Sequence, residues 1–118
     1  MTDTGLNRLC LEAELVELQP IRHTPAGIPV SGCGLKHTSK QVEAGVPREI
    51  SMELQAVAIG ELAKVLAAAS PGMSMRVSGF LAARSQRSRG LVLHLDKIEF
   101  LEGTKNGFQV EVQVQEKR

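Results

Sequence analysis

A chain of 118 residues with a formal net charge of +1 is long enough for one domain with a self-sufficient core, and its charge balance excludes a generally basic nucleic-acid coat. Its two cysteines, Cys10 and Cys33, show neither metal-ligand spacing nor a CxxC pair and read as small buried or half-buried groups of a reducing compartment. The opening "MTDTGLNRL" has no basic region followed by an apolar run, and no stretch approaches the roughly 18 apolar residues of a membrane span, so the chain reads as cytoplasmic.

The first strand is Arg8 to Gln19. Leu9, Leu11, Ala13 and Leu15 share one face, after which the parity flips and Val16 and Leu18 become the apolar positions. A period-2 pattern that changes phase predicts a bulge or sharp bend. "PIRHTPAGIP" (Pro20 to Pro29) reads as a loop or wide turn. The second strand, Val30 to Thr38, turns Cys33, Leu35 and His37 inward, with Gly32 and Gly34 on the other face, which weakens the strand and opens it to close approach of another backbone. "SKQVEAGVP" (Ser39 to Pro47) is polar and reads as turn-rich.

The third strand sets Ile50, Met52, Leu54, Ala56 and Ala58 against Glu49, Ser51, Glu53 and Gln55. "GELAKVLAAASPG" (Gly60 to Gly72) changes to helical spacing, with Leu62, Val65, Leu66 and Ala69 in one stripe and Ser-Pro-Gly as the stop. Alternation returns over Met73 to Ala83, with Met75, Val77, Leu81 and Ala83 inward and Gly79 where a curled sheet must bend. Leu91 to Leu101 is the fifth strand, with Leu91, Leu93 and Leu95 inward.

Five strands with one short helix between the third and fourth, a bent first strand and a glycine in the fourth predict an all-β, five-stranded Greek-key barrel, the OB-fold. Residues 1–102 form that domain, and 103–118 are a C-terminal extension. In the extension, Phe108, Val110, Val112 and Val114 alternate with polar residues, which fits either an added edge strand or a free tail.

Positive charge is concentrated in "AARSQRSRG" (Ala82 to Gly90), where Arg84, Arg87 and Arg89 fall within six positions. No acidic residue lies between Glu61 and Asp96, while Lys64 and Arg76 also fall in that interval. Such asymmetry points to a polyanion partner for one surface, although a short basic run alone is most often a solvated face. In an OB-fold, however, the loop between strands four and five is a binding loop, and its arginines can follow a phosphate backbone without reading bases. Whether that backbone is DNA or RNA is left open. His23, His37 and His94 have no carboxylate or cysteine at triad or metal spacing, and no GxxxxGK[ST] loop is present. The sequence assigns no catalysis, cofactor or metal; His37 and His94 read as structural or surface histidines.

Several strings resemble the primosomal replication protein N (PriB) family: "NRL" at Asn7, "PIRHTPAGIP" at Pro20, "LKHTS" at Leu35, "EAG" at Glu43, "VSGFL" at Val77 and "LVLH" at Leu91. The resemblance covers about residues 7 to 101 and implies a homodimer of OB-folds that binds single-stranded DNA and assists restart of stalled forks. The partners it implies are the restart helicase PriA, with the loader DnaT and single-stranded-DNA-binding protein as further ones. It carries the family's basic loop positions to Arg84, Arg87 and Arg89, and that of the third strand's entry to Arg48; Arg22, His23, Lys36 and Ser51 complete the expected DNA-contacting set. Where the best-known member has a tryptophan on the third strand this chain has Ser51, between Glu49 and Glu53. Val46 replaces an aromatic residue, and His23 and Thr38 replace basic ones. With three aromatic residues in all, Phe80, Phe100 and Phe108, stacking platforms are scarce, which directs DNA affinity to the loop arginines. An OB-fold protein-docking module is the competing expectation. A general single-strand coating protein fits less well, because the chain ends in the basic "QVQEKR" rather than an acidic tail.

Overall fold

The computed structural model describes residues 4–87, 89–101 and 112–115. Its elements are β1 (Leu9–Leu18), β2 (Arg22–His23), β3 (Pro29–Glu43), β4 (Val46–Ile59), α1 (Glu61–Ala67), β5 (Ser74–Ala83), β6 (Leu91–Leu101) and β7 (Val112–Gln115). The order β1-β5-β6-β4-β3 closes on itself because β1 also pairs with β3. All ladders are antiparallel except β4–β6, which is parallel over Gln55–Val57. This closed barrel with a helix inserted before β5 is the OB-fold expected from the sequence.

β1 serves both seams of the barrel, its first half against β5 and its second against β3. The change of partner needs a bend, and the register with β3 slips between Leu15 and Glu17, at the phase change in the sequence. Leu15 is therefore fully buried while Val16 is exposed. β5 and β6 slip similarly between Ser78 and Gly79. A Cβ at Gly79 would lie 1.8 Å from the His94 carbonyl oxygen, so only glycine admits this approach of the two backbones.

The core consists of alternate residues from every barrel strand, including Leu15, Cys33, Leu35, Ala56, Met75, Val77, Leu93 and Ile98, closed by Leu62 and Leu66 of α1. Each buried leucine contributes about 1.5–3 kcal/mol over an exposed one. The buried Ser31 hydroxyl donates to the Ala63 carbonyl at 3.0 Å, tying the helix to β3 without leaving a polar group unsatisfied. Burial holds the Cys33 thiol high, with a pKa pushed up to about 12, and nearby Glu17 adds to the effect. Cys10, in contrast, is exposed.

The structure revises several sequence expectations. Ser39 to Pro47 is not a loop: β3 and β4 stay paired out to Glu43 and Val46. Ala44 and Gly45, both at positive φ (53° and 79°), make a two-residue turn whose backbone twist suits the strands it joins. Because this hairpin leaves the barrel, Met52 is exposed and Ile50 only half-buried. Leu91 and Ala83, at the ends of β6 and β5 beside the arginine loop, are also exposed. The helix ends at Ala67, before Ser-Pro-Gly, its end tightened by bonds from Ala68 to Val65 and from Ala69 to Leu66. Within the expected Pro20–Pro29 loop, Arg22 and His23 form a short strand against Val30 and Pro29. β7 pairs with Lys97–Phe100 of β6; Phe108, Val110 and the rest of 102–111 lie outside the described residues.

Candidate nucleic-acid interface

A groove of about 360 Å³ crosses the outer face of β3, β4 and β6. Strand alternation sends Cys33, Ala56 and Leu93 to the core, so their neighbours Gly32, Gln55, Val57, Val92 and His94 line the groove. Arg22 and Gln19 wall one end and Arg84 and Ala83 the other. The glycines do admit a close approach, but by side chains of β1 and the residue after it rather than by another backbone. The Gln19 amide oxygen lies 2.4 Å from where a Cβ of residue 32 would stand, and the Glu17 carboxylate 3.4 Å from that of residue 34.

Local hydrogen bonds hold both rims. The Thr24 carbonyl accepts from the Gly27 N–H, and the Thr24 N–H donates to the Ile28 carbonyl. The Thr24 hydroxyl accepts a further bond from the Ile28 N–H at 3.1 Å. This compact turn fixes Arg22 and His23 as they enter it. At the other rim the Arg84 N–H donates to the Gly90 carbonyl at 2.9 Å, closing the base of the β5–β6 loop. The Arg87 N–H donates to the Ser85 hydroxyl. Arg84, Arg87 and Arg89 are all exposed.

Ion pairing separates two groups of arginine. Arg8 binds Asp96 at 2.6 Å, Arg76 spans Glu12 at 2.9 Å and Glu99 at 3.1 Å, and Arg48 binds Glu43. Hydrogen bonds donated to Glu12 and the charge of Glu99 raise the Arg76 guanidinium above its ordinary value. Lys64 is engaged by Glu61, so the helix lysine and Arg76 do not extend the basic patch of the loop. Among the described residues, the arginines without a carboxylate partner are Arg22 in β2, which lines the groove, and Arg84, Arg87 and Arg89 of the β5–β6 loop, of which Arg84 lines it.

The remaining expected site residues lie elsewhere. His23 follows Arg22 and is exposed. Lys36 and Ser51 occupy the same outer face farther toward the hairpin, opposite Glu53 and Thr38 respectively. Arg48 is within β4 rather than at its entry, and alternation places it on the hairpin face opposite to Ser51, against Glu43. The structure thus brings Arg22 and Arg84 together and leaves Arg48 apart.

Gln19, Gln55 and His94 were not named from the sequence as site residues, although their outward parity at the loop-flanked end of the sheet was a usable signal. His94 stacks on Phe80, its cross-strand neighbour, with ring centroids 5.0 Å apart and planes 3° from parallel. His37 is structural: its Nδ1–H donates to the Glu12 carbonyl at 2.7 Å, which leaves Nε2 to accept from the Ser39 hydroxyl at 2.8 Å. Among the described residues no three His, Cys, Asp or Glu side chains converge as a metal site requires. No helix among them is long and apolar enough to cross a membrane.

The barrel and the arginine-rimmed groove define an OB-fold of the single-strand-binding class. A family model described as "another single-strand binding protein family" matches residues 7–97. Replication restart protein PriB of Bordetella pertussis is 41% identical over 99 residues, covering 84% of this chain and 92% of that one. The Nitrosomonas europaea protein of the same name is 35% identical over 89 residues, covering 75% and 82%. The PriB structure from Ralstonia solanacearum superposes with a TM-score of 0.74 at 35% identity, over 81% of this chain and 98% of that one. The single-stranded DNA binding protein from Thermus aquaticus shares the fold, with a TM-score of 0.69 at 24% identity, over 86% of this chain and 52% of that one. The chain belongs to the replication restart protein PriB family.

Proposed function

We propose that this protein binds single-stranded DNA as an accessory factor of replication restart, holding the strand along the groove between the β5–β6 loop and the turn that carries Arg22. The observation that carries this reading is the partition of the arginines among the described residues: Arg8, Arg48 and Arg76 are neutralised by carboxylates, whereas Arg22, Arg84, Arg87 and Arg89 keep their donors for a ligand. Guanidinium groups at the rims suit phosphates, and the apolar floor of Val57 and Val92 with the amides of Gln19 and Gln55 suits bases of any sequence. Lys36, Ser51 and His23 lie along or beside this face and extend the path. The role needs no catalysis. Its finer form is a homodimer that engages the restart helicase PriA, with DnaT and single-stranded-DNA-binding protein as further partners.

The test is titration of a fluorescent single strand at two salt concentrations with duplex DNA as control. Binding that prefers the single strand and weakens with salt is expected. Replacing Arg84, Arg87 and Arg89 together by alanine should weaken binding across sequences and make the salt slope shallower by about 2, since each phosphate neutralised on a single strand contributes roughly 0.7. An unchanged slope would show that the loop does not meet the phosphates. A second reading, a protein-docking module with little DNA affinity, is favoured by one observation: Glu14, Glu49 and Glu53 share the outer face beyond the groove, with Glu17 at its edge beside Gln55. Absence of single-strand binding at low salt would give it the weight.

A further inference from the structure

The outer face does not end at the groove. Beyond His94 it crosses to Phe80, which is 43% exposed although it is a large hydrophobic residue in the middle of a strand. The two rings are parallel and stacked across β5 and β6, so His94 backs one face of the Phe80 ring and the pair forms the start of a stack that a further flat ring can extend. His94 belongs to the groove, and Phe80 belongs to a second, open concavity of about 780 Å³ walled by Gly5, Leu6, Asn7, Arg8 and Asp96. The Asn7 amide makes a two-way clamp on Leu81, donating to its carbonyl at 2.8 Å and accepting from its N–H at 3.0 Å. That clamp fixes the segment before β1 as the far wall.

The geometry points to a nucleobase-stacking subsite on the Phe80–His94 pair, where a strand leaving the groove lays a base on the exposed face of Phe80. The inference rests on the single-strand-binding reading and extends it beyond the arginines. The chemistry of the concavity selects a base over a phosphate. Its guanidinium, on Arg8, is matched by Asp96 at 2.6 Å, and Asp96 also accepts from the Ser78 hydroxyl. The walls are therefore charge-balanced, while an aromatic face offers attraction to any flat π-system. The chain has neither tryptophan nor tyrosine, and the outer face of β4 presents Ser51 and carboxylates. Among the described residues, the Phe80–His94 pair is the stacked ring surface on this sheet.

Two substitutions test the subsite separately from the electrostatic contacts. Phe80→Leu keeps apolar volume but removes the ring. It should weaken binding of an oligothymidylate roughly tenfold, with an unchanged salt slope because every phosphate keeps its cation, and Phe80→Tyr should restore affinity. Phe80→Trp gives the chain a single tryptophan, whose emission should be quenched as the strand saturates, with saturation read independently from anisotropy of a labelled oligonucleotide. Parent-like affinity in Phe80→Leu, or tryptophan emission indifferent to a saturating strand, would overturn the subsite while leaving single-strand binding intact. Emission that is already that of a buried ring before DNA is added would overturn it too, since the face would then be covered by another copy. Failure of the parent chain to bind any single strand at low salt would remove both readings.

Discussion

Gly79 is where one atom decides the geometry of the whole face. With no side chain, it lets β5 approach the His94 carbonyl at the bulge, and this approach sets the register that puts Phe80 opposite His94. In Gly79→Ala the new methyl would overlap backbone, which cannot rotate aside, so β6 must shift. A decrease in stability of about 1–3 kcal/mol is expected from overpacking, seen as a lower denaturant midpoint. Single-strand affinity should fall with it in the fraction that remains folded. Asp96 gives a prediction in pH. The hydrogen bond from Arg8 holds its carboxyl below the ordinary value of 3.8, and the Arg8 charge and Ser78 add to this against a partial desolvation. A carboxylate with a depressed pKa stabilises the fold at pH above that ordinary value, and the contribution disappears as pH falls through the lowered one. Both partners are about half exposed, so Asp96→Asn should cost no more than about 1 kcal/mol at pH 7. The difference from the parent should shrink in urea melts as pH is taken from 7 down through and below 3.8, because the parent carboxyl is progressively protonated first in the unfolded and then in the folded state.

Elements whose two faces differ were legible before folding, and those with similar faces were not. The bulge in β1 showed itself as a phase change at Val16, because only one face of that strand meets the core. The helix stripe was legible for the same reason, although its end was not: Ser-Pro-Gly can stop a helix, but the turn needed to meet β5 begins earlier. The hairpin of β3 and β4 was hidden because Ser39 to Arg48 mixes polar and apolar residues on both faces, Val42 and Pro47 on one and Val46 on the other, with no buried side to impose alternation, which is also how a loop reads. Its signal was the two-residue Ala44–Gly45 turn between segments of equal extendability. The candidate site divides in the same way. Three arginines close together in sequence announce a loop, whereas the meeting of Arg22 with Arg84 depends on barrel closure. The pairing of Arg76 with Glu12 and Glu99 depends on registers no local pattern contains.

Across the whole molecule, charge is graded along one face of the barrel. The end between the two loops holds the arginines without carboxylate partners, while the hairpin end holds Lys36 between Glu14 and Glu53, with Glu49 beyond. A strand on this face meets attraction first and then carboxylates, so affinity should come from a short segment. Ser51 sits within the acidic half, four residues along β4 from Gln55, or about 13 Å at strand rise. Ser51→Trp adds a stacking surface there and should tighten binding of long oligothymidylates about fivefold, below the full value of a stacked base because Glu49 and Glu53 flank it on the same face. Adding Glu49→Gln and Glu53→Gln should raise the gain further at low salt. That increment should shrink as the Debye length falls from about 30 Å at 0.01 M to about 8 Å at 0.15 M, since exposed charges act on the strand through solvent. Oligonucleotides too short to span from the loop arginines to position 51 should show no gain in either variant. If long strands gain nothing, the path turns at Gln55 toward Phe80, and the acidic half of the face is free for a protein partner.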